Sequence, residues 1–250
     1  MSVSHAGGSA SIERPDYWWY RARSGLLRTV LEDYVGEPAR VLDVGSADGP
    51  SVGWLRGHGK QTSLDVDPRG IAPGEGVCGS ALALPFRDES FDVVAAFDVL
   101  EHCAPEAQAM SELARVLTPG GRLLLSVPAY TWAWSEFDDE NGHHRRYTRP
   151  RAITTVTAAG LVVDRATYAF TAVFPIFAAE RLARRTREKF QRERRQVPAD
   201  VVSLPRVPPI VERVLMGLTT IDRRLLGSHN LPFGSSVLVA ATKPRTGGYG

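Results

Sequence analysis

Cysteine is nearly missing from this 250-residue chain, which has only Cys78 and Cys103 and no paired spacing between them. That excludes a disulfide-stapled secreted scaffold and a thiolate zinc ribbon, and both thiols read as buried and free in a reducing cytosol. An excess of charge of one sign is missing too, since 30 basic against 28 acidic residues leave +2. So mild a balance does not imply nucleic acid. Lysine is scarce, with only Lys60, Lys189 and Lys243, a skew better ascribed to a GC-rich genome than to binding. No apolar run approaches the roughly 20 residues that cross a bilayer. The longest, Tyr168 to Ala179, is broken by Thr171 and Pro175. Met1 to Ser11 lacks both a basic start and an apolar stretch, so no signal peptide is read there and a cytoplasmic location is expected. What is present is ordinary: 43% hydrophobic content supports a real core.

The pattern along the chain predicts an α/β protein. Asp16 stands where it can cap a helix running to about Tyr34, with Leu26, Leu27, Val30, Leu31 and Tyr34 at helical spacing and Pro38 beyond its end. Short apolar strands follow at Arg40 to Val44, Gln61 to Val66, Phe91 to Phe97 and Arg122 to Val127. They are nearly all apolar rather than alternating, as parallel strands covered on both faces require. Met110, Leu113, Ala114 and Leu117 give the helix Ala107 to Leu117 one apolar face, and Pro119, Gly120 and Gly121 read as its stop. A helix at Arg149 to Ala159 and strands at Leu161 to Tyr168 and Ser236 to Thr242 complete a doubly wound sheet. Between the last two strands, residues 170–230 read as a helical insertion. It holds helices at Phe174 to Gln196 and at Pro209 to Leu226, the second with Ile210, Val214, Leu218, Ile221 and Leu225 on one stripe.

The chemistry begins at Arg40 to Pro50, RVLDVGSADGP, where an apolar strand runs into a loop containing Gly45 and Gly49. Small residues there let a ligand approach the backbone at the carboxyl end of the first strand, where open α/β sheets bind. The glycine spacing does not match the dinucleotide fingerprint, whose work is to admit a pyrophosphate, so an NAD site is disfavoured. An amino group or a sulfonium cation would suit an acid at the loop entrance, and Asp43 stands there. Asp65, in SLDVDP, ends the second strand 22 residues later, about where a carboxylate accepts from both ribose hydroxyls. Either acid alone could be an ordinary helix cap. The pair points to a nucleoside.

With CGSALALPFRDESFDVV, then FDVLEH at Phe97 to His102, then RVLTPGGRLLLSVP, the segment Arg40 to Pro128 resembles the class I S-adenosylmethionine-dependent methyltransferases of the type 11 group. SSVLVAAT near the end resembles that fold's antiparallel last strand. The resemblance implies a Rossmann-like, mostly parallel seven-stranded sheet, with the core in 40–169 and 231–245 and a tail and cap helix in 1–39. It also implies S-adenosylmethionine as cofactor. Asp43, Gly45, Ser46, Ala47 and Gly49 would line its methionine end, Asp65 and Val66 its ribose, and Ser80 and Ala81 its adenine, while Phe97 closes the methionine side. Two positions depart from the family. Ala47 replaces a usual glycine, and Ser80 replaces a usual adenine-binding aspartate, at a cost of about 1 to 2 kcal/mol in binding.

The acceptor side is read from AYTWAWSEFDDENGHHRRYTRP, residues 129–150. So many aromatic residues are costly to leave in water, and a lid over 129–149 is expected. At the other end YWWYRAR, Tyr17 to Arg23, resembles a leading helix laid across the cofactor pocket, with Tyr20 and Arg23 reaching the methionine carboxylate or an acidic acceptor. Methyl transfer needs an acceptor atom held in line, and a base when that atom carries a proton. His102, His143 and His144 are the candidate bases, against plainer roles as a helix-start residue and as lid structure. No metal is expected, because no pair forms a complete ligand set. Glu180 to Arg195 holds eight basic and three acidic residues. That stretch is either a solvated face or, with Phe174, Ile176 and Phe177 before it, a contact to an anionic membrane or a lipid-linked acceptor. The reading is a methyltransferase acting on an O, N or C atom of a small molecule, saccharide or natural product. Its alternatives are a protein or nucleic-acid methyltransferase and a noncatalytic binding module.

Overall fold

The computed structural model describes residues 16–45, 53–71, 74, 76–191 and 207–245, apart from the side chains of residues 70 and 184–191. In chain order the elements are α1 (Trp18–Leu31), β1 (Arg40–Val44), β2 (Lys60–Asp65), β3 (Gly76–Cys78), β4 (Phe91–Phe97), α2 (Glu106–Val116) and β5 (Leu117–Pro128). Then come α3 (Glu136–Glu140), α4 (Arg149–Ala158), β6 (Val162–Ala169), α5 (Phe174–Gln191), α6 (Pro209–Leu226) and β7 (Ser236–Thr242). The seven strands form one sheet in the order β3-β2-β1-β4-β5-β7-β6. All neighbours are parallel except β7, which runs antiparallel to both β5 and β6. This is the doubly wound, Rossmann-like sheet with an antiparallel last strand that the resemblance implied.

Alternation along the strands explains why they are apolar throughout. Leu42, Val44, Val94, Leu123, Leu125 and Val127 face α2 and α4, which contribute Met110, Leu113, Ala152 and Val156. Val41, Val93, Ala95, Phe97 and Leu124 face the other way onto α1, where Ala22, Leu26, Leu27, Val30 and Leu31 are buried. Each of those five side chains buries enough apolar surface to contribute about 1 to 3 kcal/mol, alanine excepted. The sheet therefore holds a layer of helices on each side.

Several sequence expectations need correcting. Asp16 does not cap α1: Tyr17 takes that position without a side-chain hydrogen bond. A 3-10 turn over Glu32–Tyr34 then replaces the last α-helical turn. Leu117 adopts extended geometry, so Pro119, Gly120 and Gly121 lie inside β5 rather than in a loop after the helix. Cys78, on the edge strand β3, is exposed, while Cys103 is buried, and both are free. Edge position explains the difference, because nothing pairs with the outer side of β3. The apolar stripe of α6 also points mostly outward, with Leu218 alone of its five residues packed partly against the core. Ile210, Val214, Ile221 and Leu225 are exposed, while Thr219, Asp222 and Leu226 are buried. Helical spacing identified the helix but not the face it buries. Residues 192–196 of the basic stretch lie outside the described residues. Among the described residues no helix is long and apolar enough to cross a membrane.

Candidate active site at the strand tips

Asp43 and Asp65 come together because β1 and β2 pair in parallel, Asp43 opposite Ser63 and Val44 opposite Leu64. Both acids are buried, at 1% and 6% exposure. The Asp65 carboxylate also accepts the Asp67 backbone N–H at 2.8 Å, which anchors it at the strand end. Gly45 follows with φ +76°, a left-handed conformation that favours glycine, and an added Cβ would stand 2.5 Å from Val99 Cγ2. Ser46, Ala47 and Gly49 lie outside the described residues. Val66 is 71% exposed, immediately beyond Asp65. Ser80 sits in a small turn, bridged to Ala83 and accepting the Leu82 N–H, while Ala81 packs into the core. Phe97 is buried at the end of β4, with its ring 6.4 Å from that of Trp54.

The tip of β4 carries a second polar layer. Asp98 has φ 56° and accepts from Ser126 at 2.9 Å, and it pairs with Arg23 at 2.8 Å. Arg23 is 3% exposed, so this ion pair fastens α1 onto the junction of β4 and β5. Tyr20, one helical turn earlier, is buried with its ring 5.2 Å from Trp19. Of the expected pair, Arg23 thus reaches the carboxyl end of the sheet, where its guanidinium is engaged by protein carboxylate and hydroxyl, while Tyr20 is buried on α1.

Beyond Asp98 a 3-10 turn, Leu100–His102, presents Glu101 and His102. Glu101 is fully buried, and neither carboxylate oxygen finds a hydrogen-bond partner. Burial first, and the Asp98 charge second, push its carboxyl well above the usual range, against the opposing fields of Arg23 and Arg146. His102 keeps one edge open to solvent. Desolvation of the rest of the ring, then the neighbouring His143, push its pKa down to about 4. It is neutral at physiological pH.

His143 arrives from the 129–149 segment, its ring 4.6 Å from that of His102. Its Nδ1 bonds Asp138 at 2.8 Å, and Arg146 grips the same carboxylate with Nε at 2.7 Å and Nη2 at 3.0 Å. Burial alone would raise the Asp138 carboxyl, but the His143 and Arg146 hydrogen bonds override it and hold the pKa at about 2. Since an ionised carboxylate carries no proton, His143 Nδ1 must be the donor. His144 is exposed, and its backbone N–H donates to the Glu101 carbonyl at 2.7 Å. Sequence reasoning missed Glu101 and Asp98 as site residues, though DVLEH contains them. Asp138, which the sequence reads as loop solvation or a cap rather than a base, does close a capping box with Ser135 and also holds His143 and Arg146.

Residues 42–125 match the family model of a methyltransferase domain. Over that stretch the chain carries a methyltransferase domain, as its resemblance to the class I S-adenosylmethionine-dependent enzymes implied. In a biotin biosynthesis bifunctional protein of Cellvibrio japonicus, the aligned stretch is 32% identical over 164 residues, covering 57% of this chain and 32% of that protein. In the demethylmenaquinone methyltransferase of Mycobacterium bovis BCG it is 34% identical over 116 residues, covering 44% of this chain and 47% of the enzyme. The chain thus spans about a third to a half of these relatives' lengths. Among solved structures, the phosphoethanolamine N-methyltransferase 2 of Haemonchus contortus with bound S-adenosylmethionine superposes with a TM-score of 0.53 at 16% identity, covering 94% of this chain and 59% of that one. The shared fold places the β1 and β2 tips of the methyltransferase domain where a nucleoside binds in open α/β sheets.

The residues present fit the cofactor. Two buried carboxylates at adjacent strand tips match a cationic methionine end and a ribose diol, and the Gly45 turn keeps the backbone between them free of a side chain.

Proposed function

We propose that this chain transfers a methyl group from S-adenosylmethionine to an atom of a small-molecule, saccharide or natural-product acceptor. The observation that carries the proposal is the Asp43 and Asp65 pair, both buried near the C-terminal ends of the neighbouring parallel strands β1 and β2. Asp65 accepts the ribose hydroxyls. Asp43, Gly45, Ser46, Ala47 and Gly49 surround the methionine end, with Phe97 as its apolar wall. Val66, Ser80 and Ala81 border the base, and Tyr20 and Arg23 close the α1 side. When bound, the cofactor supplies a methyl carbon already activated by sulfonium. The chain has only to hold the acceptor atom about 3 Å from it, in line, and keep water away.

The 129–149 segment closes the acceptor side, and proton removal is assigned to the cluster of His102, His143 and His144. A small acceptor agrees with this enclosure. The insertion at 170–230 supports a second feature of the reading, contact with an anionic membrane or a lipid-linked acceptor. There Ile176, Leu182, Ile210 and Val214 are exposed, and the sequence from Glu180 to Arg195 is basic.

Calorimetry with S-adenosylmethionine and S-adenosylhomocysteine tests the binding half, with micromolar affinity for both expected. A methyl-release assay across phenols, amines, saccharides, protein and RNA tests the rest. Turnover only on protein or RNA would overturn the acceptor class, and binding without any turnover would leave a noncatalytic module. Cosedimentation with anionic liposomes that fails at low salt would remove the membrane contact.

A further inference from the structure

At the acceptor side two consecutive side chains converge with a third that comes from a segment distant in sequence. Among the described residues, Glu101 and His102 from the tip of β4 and His143 from the 129–149 segment bring one ligand atom each within 4.8 Å of one another. Glu101 is 0% exposed with both oxygens unpartnered. A buried carboxylate in that state is costly unless a donor or positive charge meets it. The two guanidinium groups whose fields reach it are engaged elsewhere, Arg23 with Asp98 and Ser126, and Arg146 with Asp138 and the Ala129 carbonyl.

The imidazoles are set up as ligands. Asp138 holds His143 through Nδ1 at 2.8 Å, which leaves Nε2 as the nitrogen on the far side of the ring, and a carboxylate behind a ring is what orients a metal-bound histidine. The ring of His102 meets that of His143 at 87°, edge to face, rather than stacking on it. Two nitrogens and one carboxylate oxygen suit a borderline cation better than Mg²⁺ or Ca²⁺, which prefer oxygen alone. Metal–ligand bonds of about 2 Å set ligand atoms roughly 3.4 Å apart in a tetrahedron, within reach of small side-chain rotations from the present spacing.

We propose that Glu101, His102 and His143 bind one divalent first-row transition cation, and that this cation takes an oxygen of the methyl acceptor as a further ligand. Three protein ligands leave such a position open. The second half rests on the methyltransferase reading. His102 and His143 then serve proton removal as ligands rather than as free bases: the cation lowers the pKa of a bound hydroxyl, whose proton passes to water at the exposed His102. Its oxygen then forms the new bond to the methyl carbon as the carbon–sulfur bond breaks, and that bond's electron pair stays on sulfur as a neutral thioether. The cation in this role is a Lewis acid and a template, and no change of its oxidation state is involved.

The test uses the full chain, stripped with a chelator and titrated with Co²⁺ and then Zn²⁺. One equivalent of Co²⁺ is expected to bind, with visible ligand-field bands that Zn²⁺ abolishes. His143→Ala, His102→Ala and Glu101→Gln should each weaken binding roughly 10-fold or more. Because Glu101 is buried, its replacement can unfold the chain. His102 is exposed, so His102→Ala is the deciding variant, with circular dichroism as the check on folding. Absence of stoichiometric binding, or equal affinity in the wild type and His102→Ala, overturns the proposal. Calorimetry with S-adenosylhomocysteine on the same samples separates the two readings. Nucleoside binding without Co²⁺ binding defeats the cation site alone. Co²⁺ binding without nucleoside binding defeats the methyltransferase reading and the acceptor-ligand half with it.

Discussion

The tips of β1 and β2 and the tips of β4 and β5 carry the two halves of the site, and they are built differently. On the first side each functional acid belongs to its own strand end, and the parallel register alone brings Asp43 and Asp65 together. On the second side almost every polar group is held by a residue distant in sequence: Asp98 by Arg23, the Leu100 carbonyl by Arg145, Asp138 by Arg146 and His143. A nucleoside common to a whole family can be met by local motifs. An acceptor that differs between members is met by a surface assembled from separate segments, where substitutions change shape without disturbing the sheet.

The largest effect expected from this contrast is on stability, at the second side. Arg146→Ala removes the guanidinium paired with the fully buried Asp138 and leaves that carboxylate with His143 and with the N–H and hydroxyl of Ser135, and breaking a buried ion pair in this way costs about 3 to 5 kcal/mol. Urea denaturation followed by fluorescence measures it. A loss below about 1 kcal/mol would mean that the 129–149 segment is not anchored through this pair, and the contrast between the halves would fail.

Next in size is a binding effect at the first side. Asp65→Ala removes the carboxylate proposed to accept the ribose hydroxyls, and hydrogen bonds to a charged group contribute about 1.5 to 3 kcal/mol each. Affinity for S-adenosylhomocysteine should fall roughly 10-fold to 100-fold in calorimetry. Stability should change less than in Arg146→Ala, because Asp65 lies at a strand end. Unchanged affinity would remove the assignment of the nucleoside to these tips.

Gly45 joins the two halves. Its left-handed φ would cost an alanine about 1 to 2 kcal/mol. In addition the new Cβ meets Val99, one residue past Asp98 on the second side. Gly45→Ala is expected to lower the melting temperature, and adding Val99→Ala should recover the steric part but not the backbone part. Full recovery would show that the turn geometry at Gly45 is adaptable; no recovery would show that the two tips do not press on each other.

The same division explains what could be read in advance. Local signals located six strands, because apolar runs between turn residues survive without tertiary context. The three-residue β3, Gly76–Cys78, carries no apolar run and was not located. In α6 the stripe of Ile210, Val214, Ile221 and Leu225 is periodic yet exposed, because Asp222 and Thr219 are drawn inward by tertiary contacts. The histidines His102 and His143 were visible as chemistry-bearing residues. Their meeting with Glu101 was not, since no periodicity connects the tip of β4 to the loop that follows β5.

Asp222 offers the smallest effect. It is fully buried and its Oδ1 accepts the Ala172 N–H at 2.9 Å, ahead of α5, so a polar residue of the insertion helix α6 holds the chain where β6 ends. Burial raises its carboxyl above the ordinary value, with the N–H groups of Ala172 and Thr171 pulling it partly back. A folded-state pKa above the unfolded one means that the folded state favours the protonated acid. The stability this contributes is complete below the unfolded pKa of about 3.9 and is lost as pH rises through the folded value. Asn keeps a carbonyl for Ala172 and does not titrate. The melting temperature of the wild type minus that of Asp222→Asn should therefore fall as pH is raised from 4 to 7. If the difference grew with pH instead, the ionised carboxylate would be the stabilising form, and α6 would be tied to the sheet by charge rather than by packing.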